Sequence, residues 1–251
     1  LRVIRVFDMK RIIVAALIWL GLSFPAYAAL ALTHKGTNSG TTTSVTVTTL
    51  TIANGDLIVV GGAARLAASG DTITVSDSAG DTFTYYEGGT GNALRSFIAY
   101  TKTSGLSGGT VTVTTSGSSP LLLGISVEDV TGFDTATPED SAARATGNAT
   151  SATPNITSGS PTYSGDLFYS SFQLGNVTYT EDATWTNTSG TFGNTNAKGS
   201  AGYFIAPGAG TATRTGSASG SANWRGIITG FKAAGGASPT FHGLSAIGAG
   251  K

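Results

Sequence analysis

The chain has 251 residues, no cysteine, one methionine, two histidines and equal numbers of basic and acidic residues. Without cysteine there is neither a disulfide framework nor a thiolate metal site, so a packed core has to hold the fold together. Charged residues make up 11% against a usual ~25%, while 40% are apolar, a balance unlike that of disordered chains.

The first predicted element is a leader. Met9 opens it, Lys10 and Arg11 give the positive region, Ile12 to Phe24 the apolar run, and Pro25-Ala26-Tyr27-Ala28 a small-residue cleavage site. An apolar run of 13 residues is too short for a ~30 Å hydrocarbon layer, which needs roughly 20. Residues 1–28 therefore read as upstream residues and a secretory signal peptide, and the product as secreted, extracellular or on the cell surface. Removing them leaves 10 basic and 13 acidic residues, net −3, with no basic stripe. That excludes the electrostatic footprint of a nucleic-acid binder, and no membrane span is expected in the mature chain.

Residues 29–40 read as a polar lead-in containing His34 and Lys35. Thr41 to Leu50 alternates as a strand, Asn54-Gly55 is a turn, and Leu57 to Val60 is a buried strand. Residues 72–76 and 82–85 alternate with period two, and Asp77 to Asp81 between them reads as a hairpin loop with Gly80 at positive φ. Strands follow over 94–103, 110–115 and 121–130, the last with Leu121, Leu123, Ile125 and Val127 on one face. Thr131 to Asn148 is a long polar connection. Weaker strands then lie near Leu167, Tyr203 and Trp224, and 235–251 is a Gly-rich linker with an apolar tail.

Part of this order occurs twice. Gly55-Asp56-Leu57-Ile58-Val59-Val60 is echoed by Gly165-Asp166-Leu167-Phe168-Tyr169-Ser170, and residues 109–114 by 210–215. Gly124-Ile125-Ser126-Val127 is echoed by Gly226-Ile227-Ile228-Thr229. Self-similarity in fixed order decides architecture. It predicts an all-β, internally duplicated antiparallel β-sandwich over 29–234, with repeats at about 42–131 and 152–233. One continuous sandwich, with each copy giving strands to both sheets, is expected. The pattern GDLIVV, DSAGDTFT, IAYTK, GTVTVTT and LLLGISVEDVTG, with its weaker repeat, resembles uncharacterised secreted bacterial β-sandwich domains of jelly-roll, concanavalin-like type. Such domains are often appended to carbohydrate-active or adhesive proteins. The resemblance carries over no functional residue.

Catalytic chemistry finds little footing. The two histidines, His34 and His242, sit near opposite ends of the mature chain, and neither has a Gly-x-Ser-x-Gly elbow beside it. Glu128 is the best acid for a two-carboxylate glycosidase, but beside Val127 it reads as a solvent-face residue. No enzyme is expected, and no cofactor unless Ca²⁺, for which Asp71, Asp77 and Asp81 are the candidate ligands. Trp185, Tyr85, Tyr86 and Tyr179 are the candidate sugar-stacking rings, because a flat ring suits a pyranose face and Thr184, Thr186 and Asn187 suggest that Trp185 is exposed. Trp224 reads as core. Phe241, Leu244 and Ile247 form a candidate interaction tail that would add as a strand to a neighbour's sheet edge. The expected function is a non-enzymatic module binding glycans or cell-surface material. The alternative is a structural subunit of a surface layer, filament or virion-like particle that self-assembles through the tail.

Overall fold

The computed structural model describes residues 29–89, 93–162, 165–208 and 210–235. The signal region and the candidate tail of Phe241, Leu244 and Ile247 lie outside them. Among the described residues every regular element is a strand, so the chain is all-β. Among the described residues no helix is long and apolar enough to cross a membrane.

The first copy runs β1 (Ala31–Gly40), β2 (Ser44–Ile52), β3 (Leu57–Arg65), β4 (Ile73–Asp77), β5 (Thr84–Gly88), β6 (Leu94–Lys102), β7 (Leu106–Thr115) and β8 (Leu122–Thr131). The second runs β9 (Glu139–Ser151), β10 (Asn155–Thr157), β11 (Leu167–Leu174), β12 (Tyr179–Glu181), β13 (Thr186–Gly193), β14 (Lys198–Ile205), β15 (Thr213–Ala218) and β16 (Ala222–Phe231). Each copy makes one five-stranded and one three-stranded sheet, with the same strand order in both. The first copy has β1-β8-β3-β6-β5 and β2-β7-β4; the second has β9-β16-β11-β14-β13 and β10-β15-β12.

Side-chain alternation explains how these sheets stack. In β2, Val45, Val47, Leu50 and Ile52 face the core and threonines fill most positions between, as a strand covered on one face requires. In β3 both faces are apolar. Ile58, Val60 and Ala64 face the three-stranded sheet of their own copy. Leu57, Val59 and Ala63 face the second copy, against Leu167, Tyr169, Ala201, Ile227 and Phe231. A third core, around Phe168, Phe172, Trp185, Trp224 and Ile228, lies between the two sheets of the second copy. The order of layers is thus three, five, five and three strands.

The five-stranded sheets meet in reversed order: β1 lies on β13, β3 on β11, β6 on β16 and β5 on β9. Since β13 is the copy of β5 and β9 the copy of β1, this is an approximate twofold relation centred on β3 and β11. The ladders also fix which residues correspond. Leu57 pairs with Val130 and Lys102, and Leu167 with Phe231 and Ile205. Val130 therefore matches Phe231, and Gly124 matches Arg225 rather than Gly226. The match between these strands read from sequence is one residue out, and a slip of one exchanges the two faces of a strand.

The structure departs from the sequence expectation in four further places. Each sheet draws its strands from one copy, not from both. The polar lead-in is β1, and most of the expected connection from Thr131 to Asn148 is β9, so the second repeat begins at Glu139 rather than near 152. Both strands lie at sheet edges, where polar residues are favoured and the apolar pattern is weakest. Asp77 to Asp81 does not close a hairpin, because β4 pairs with β7 and β5 with β6 in the other sheet. Gly80 does have the expected positive φ, at 82°. Finally, Leu121 is 44% exposed, outside the core made by Leu123, Ile125 and Val127.

Glycine sets the spacing at the centre of the seam. A Cβ on Gly61 would stand 2.5 Å from the Tyr169 hydroxyl oxygen. Gly61→Val should therefore destabilise the protein by about 1–3 kcal/mol through overpacking. Gly70→Ala, where a Cβ meets nothing within 4 Å, serves as the control. Equal denaturation midpoints for wild type and Gly61→Val would show that the seam yields freely.

Candidate functional site

The four candidate aromatic residues occupy separate environments. Trp185 is only 5% exposed, and its indole N–H donates to the Thr213 carbonyl at 2.8 Å. Tyr179 is buried in the same core and donates to Glu181 at 3.0 Å. Both rings face the guanidinium of Arg214, which is fully buried. Tyr85 packs on Phe97 inside the first copy and donates to Glu87 at 2.9 Å. Tyr86, one residue on and so on the opposite face, lies in the seam under the guanidinium of Arg144. The expected exposure of Trp185 is thus corrected: its polar neighbours turn outward while the ring turns in. Trp224 is core, as its strand suggested.

The three aspartates close turns. Asp71 accepts the Ala68 amide, Asp77 the amides of Gly80 and Asp81, and Asp81 both the Thr103 hydroxyl and the Ser104 amide. Among the described residues no three acidic or histidine side chains come together as a metal-holding group.

Sequence reading missed two polar networks in the seam. Glu128 is not on a solvent face: it is fully buried, because the second copy covers the side of β8 opposite Val127. It accepts from the Tyr169 hydroxyl at 3.2 Å and from Ser126, and meets His34 Nδ1 at 2.9 Å. Burial keeps the Tyr169 phenol protonated well beyond its ordinary range, as a donor to Glu128 must be. Ser126 also lies 3.5 Å from the same Nδ1. A nucleophilic triad needs the serine at the other ring nitrogen, so this geometry does not pass a proton between Ser126 and Glu128 through the imidazole. At the opposite side of the seam Glu139 accepts from Tyr86 and Tyr100, each at 3.0 Å, from Arg144 at 3.0 Å and from Thr229 at 2.8 Å. Each copy thus supplies a carboxylate that accepts phenols of the other.

A second feature is repeated in both copies. Asp56 sits near Asp129, which pairs with Lys35 at 3.0 Å. Its counterpart Asp166 sits beside Asp140 and near Lys232, with both carboxyl oxygens buried. Burial and then the neighbouring Asp140 push the Asp166 carboxyl up to about 7; burial and then Asp129 also raise Asp56. Asp129 lies across a rung from Thr33, and Asp140 across the matching rung from Gly230. The duplication has therefore kept an acid pair but moved its second member to the neighbouring strand.

The open concave feature of the seam is a cleft of about 290 Å³ lined by Arg65, Ala93, Leu94, Gln173, Gly175, Asn196 and Asn223. Gln173, Asn223 and Leu94 correspond, by ladder register, to Ala63, Leu122 and Ala197. Those three are buried together with Phe192 on the other side of the twofold axis. Phe192 pairs with Gly199, and its counterpart Gly88 pairs with Ser96. One side of the seam is thus plugged by an aromatic ring among apolar residues. The other has glycine at the ring's position and two amides in place of alanine and leucine.

Two titrations follow. A carboxyl whose folded pKa is raised favours the folded state while protonated, a contribution complete below 3.8 and lost as pH rises through about 7. Asp166→Asn should flatten the fall in unfolding free energy between pH 5 and pH 8 by about 1 kcal/mol or more; an unchanged slope would remove the acid pair as its cause. The hydrogen bond that His34 donates to Glu128 raises its pKa above 6.5, against burial, so its contribution is complete below 6.5 and lost as pH climbs through the folded value. In an NMR titration the His34 midpoint should lie above 6.5 and drop in Glu128→Gln.

No protein-family model, curated protein or solved structure matches the chain.

Proposed function

We propose that the chain is a secreted, non-catalytic β-sandwich module of jelly-roll type that binds glycans or other polyhydroxylated polymers of the cell surface. The strand order supports the fold label. First, eighth, third and sixth strands lie side by side, and second, seventh and fourth face them, as in a double Greek key. The leader at Met9 supports secretion.

The observation that carries the binding reading is the difference between the two sides of the seam. Where one side is filled by Phe192, the other presents Gln173, Asn196, Asn223 and Arg65 around a cleft with Leu94 as its apolar wall. Amides both donate and accept, as a sugar hydroxyl does, so a set of amides on rigid strands suits a ligand rich in hydroxyl groups. The volume is at the low end of the roughly 300–1,000 Å³ of small-molecule sites. No aromatic ring lines the cleft, so affinity rests on hydrogen bonds and is expected near 1 mM, about −4 kcal/mol. The His34–Glu128–Ser126 geometry, with Glu128 and Ser126 buried and His34 exposed, gives the non-catalytic reading its support, since it orients no nucleophile.

A glycan array with the mature protein should show binding. The double variant Gln173→Ala, Asn223→Leu, which copies the closed side, should lose it at least tenfold with a Tm within a few degrees of wild type. Binding by that variant at wild-type strength would move the site elsewhere on the surface, and an array without a single bound glycan would end the glycan reading.

A further inference from the structure

Two buried polar atoms without partners lie on one rung behind the cleft, on Gln173, which lines it, and on Arg225 opposite. Gln173 is fully buried; its Nε2 donates to the Leu174 carbonyl at 2.7 Å, but its Oε1 has no hydrogen bond. Arg225 stands directly opposite Gln173 on the rung between β11 and β16, so the two side chains leave the sheet on the same face. That face is turned toward the first copy, because a Cβ on Gly89 would lie 3.0 Å from Arg225 Cδ. Arg225 Nη1 donates to the Trp224 carbonyl, and its Nε–H is buried with no acceptor. A buried donor and a buried acceptor side by side, both unsatisfied, are expensive unless something with both capacities reaches them.

The charge around the cleft has one sign. Arg65, on its rim, spends Nη1 on the Asn196 carbonyl at 2.8 Å and makes no ion pair among the described residues, and neither does Arg225. No carboxylate lines the cleft. Glu87, on the adjoining strand β5, is already paired with Arg95. Two arginines that make no ion pair among the described residues thus stand at this opening, Arg65 in the cleft lining and Arg225 on the rung of Gln173 behind it.

We propose that this cleft selects a saccharide bearing a carboxylate, a uronic acid residue within a polymer, with the carboxylate held by Arg65 and Arg225 and an adjacent hydroxyl donating to Gln173 Oε1. The inference rests on the glycan reading above and narrows it. The planar guanidinium fork matches a carboxylate, while a hydroxyl next to it can donate to an amide oxygen. Neutral sugars satisfy the amides but leave the arginines unpaired.

The test compares a galacturonate tetramer with its methyl ester, a chain of the same shape without the charge, by isothermal titration calorimetry on the mature protein. The free acid should bind at least tenfold tighter, and the advantage should shrink as NaCl is raised from 50 to 500 mM. Arg65→Gln should abolish the advantage of the acid over the ester, weakening the acid at least tenfold more than the ester. Arg225→Gln should do the same, and its Tm checks that the seam is intact. Equal affinity for acid and ester, or binding of a neutral oligosaccharide alone, overturns the carboxylate inference and leaves the glycan reading standing. If neither tetramer nor any neutral oligosaccharide binds, both fall, and the orphan pair is satisfied by water only.

Discussion

The central strands of this molecule are covered on both faces, and every polar group they carry has to be satisfied from inside. β3, β8, β11 and β16 each pack against a three-stranded sheet on one side and against the other copy on the other. An apolar residue meets that demand without cost, which is why β3 reads as an unbroken apolar run. Two carboxylates in the seam are surrounded: Glu128 on β8 and Glu139 on the edge strand β9 each accept several donors, tyrosine of the opposite copy among them. A buried charge left without such partners is penalised by several kcal/mol. The two networks therefore do more than tolerate burial. They tie the copies together at the two sides of the seam, in a geometry that only one relative placement satisfies.

The second copy solves its own core differently from the first. Between the sheets of the first copy the core is almost wholly aliphatic, with Phe97 as its one buried ring. Between those of the second sits Arg214, fully buried, donating to Glu181 at 3.0 Å, to the Ser170 and Ser200 carbonyls and to the Ser200 hydroxyl. Phe172, Tyr179 and Trp185 surround the guanidinium. The many small residues of this half leave space that one long cation and three rings fill. Trp185 and Tyr179 are thus spent on the core, and neither is placed to stack on a sugar at the surface.

How much of this was legible follows from what each residue type can signal. The Gly-Asp-Leu stretches announced the duplication because their residues are constrained on both faces. The alternation in β2 and the double-sided run of β3 gave the strands directly. Edge strands β1 and β9 were hidden, since a strand with one neighbour and one wet side can carry almost any polar residue. Burial of Trp185 and Glu128 was hidden for a different reason. Period two says only which residues share a face, and whether that face is covered depends on strands elsewhere in the chain. The one-residue error between β8 and β16 has the same origin: glycines matched by identity, while the ladder matches them by side. Of the cleft, sequence showed nothing, because Gln173 and Arg225 are informative only once they are seen on one rung.

Duplication explains how the two sides of the seam can differ. A twofold pair begins with two equivalent clefts, one on each side of the axis. Closing both gives the most stable seam, and closing one with Phe192, over the space left by Gly124 and Gly199, secures much of that stability. The other side is then free to change. There the counterpart of Gly124 is Arg225, that of Ala63 is Gln173 and that of Leu122 is Asn223. Each exchange trades apolar burial for a polar group that the fold does not itself need, and two of those groups stay unsatisfied. Where Phe192 seals one side, the replacement of Gly124 by Arg225, of Ala63 by Gln173 and of Leu122 by Asn223 leaves the other side open and polar.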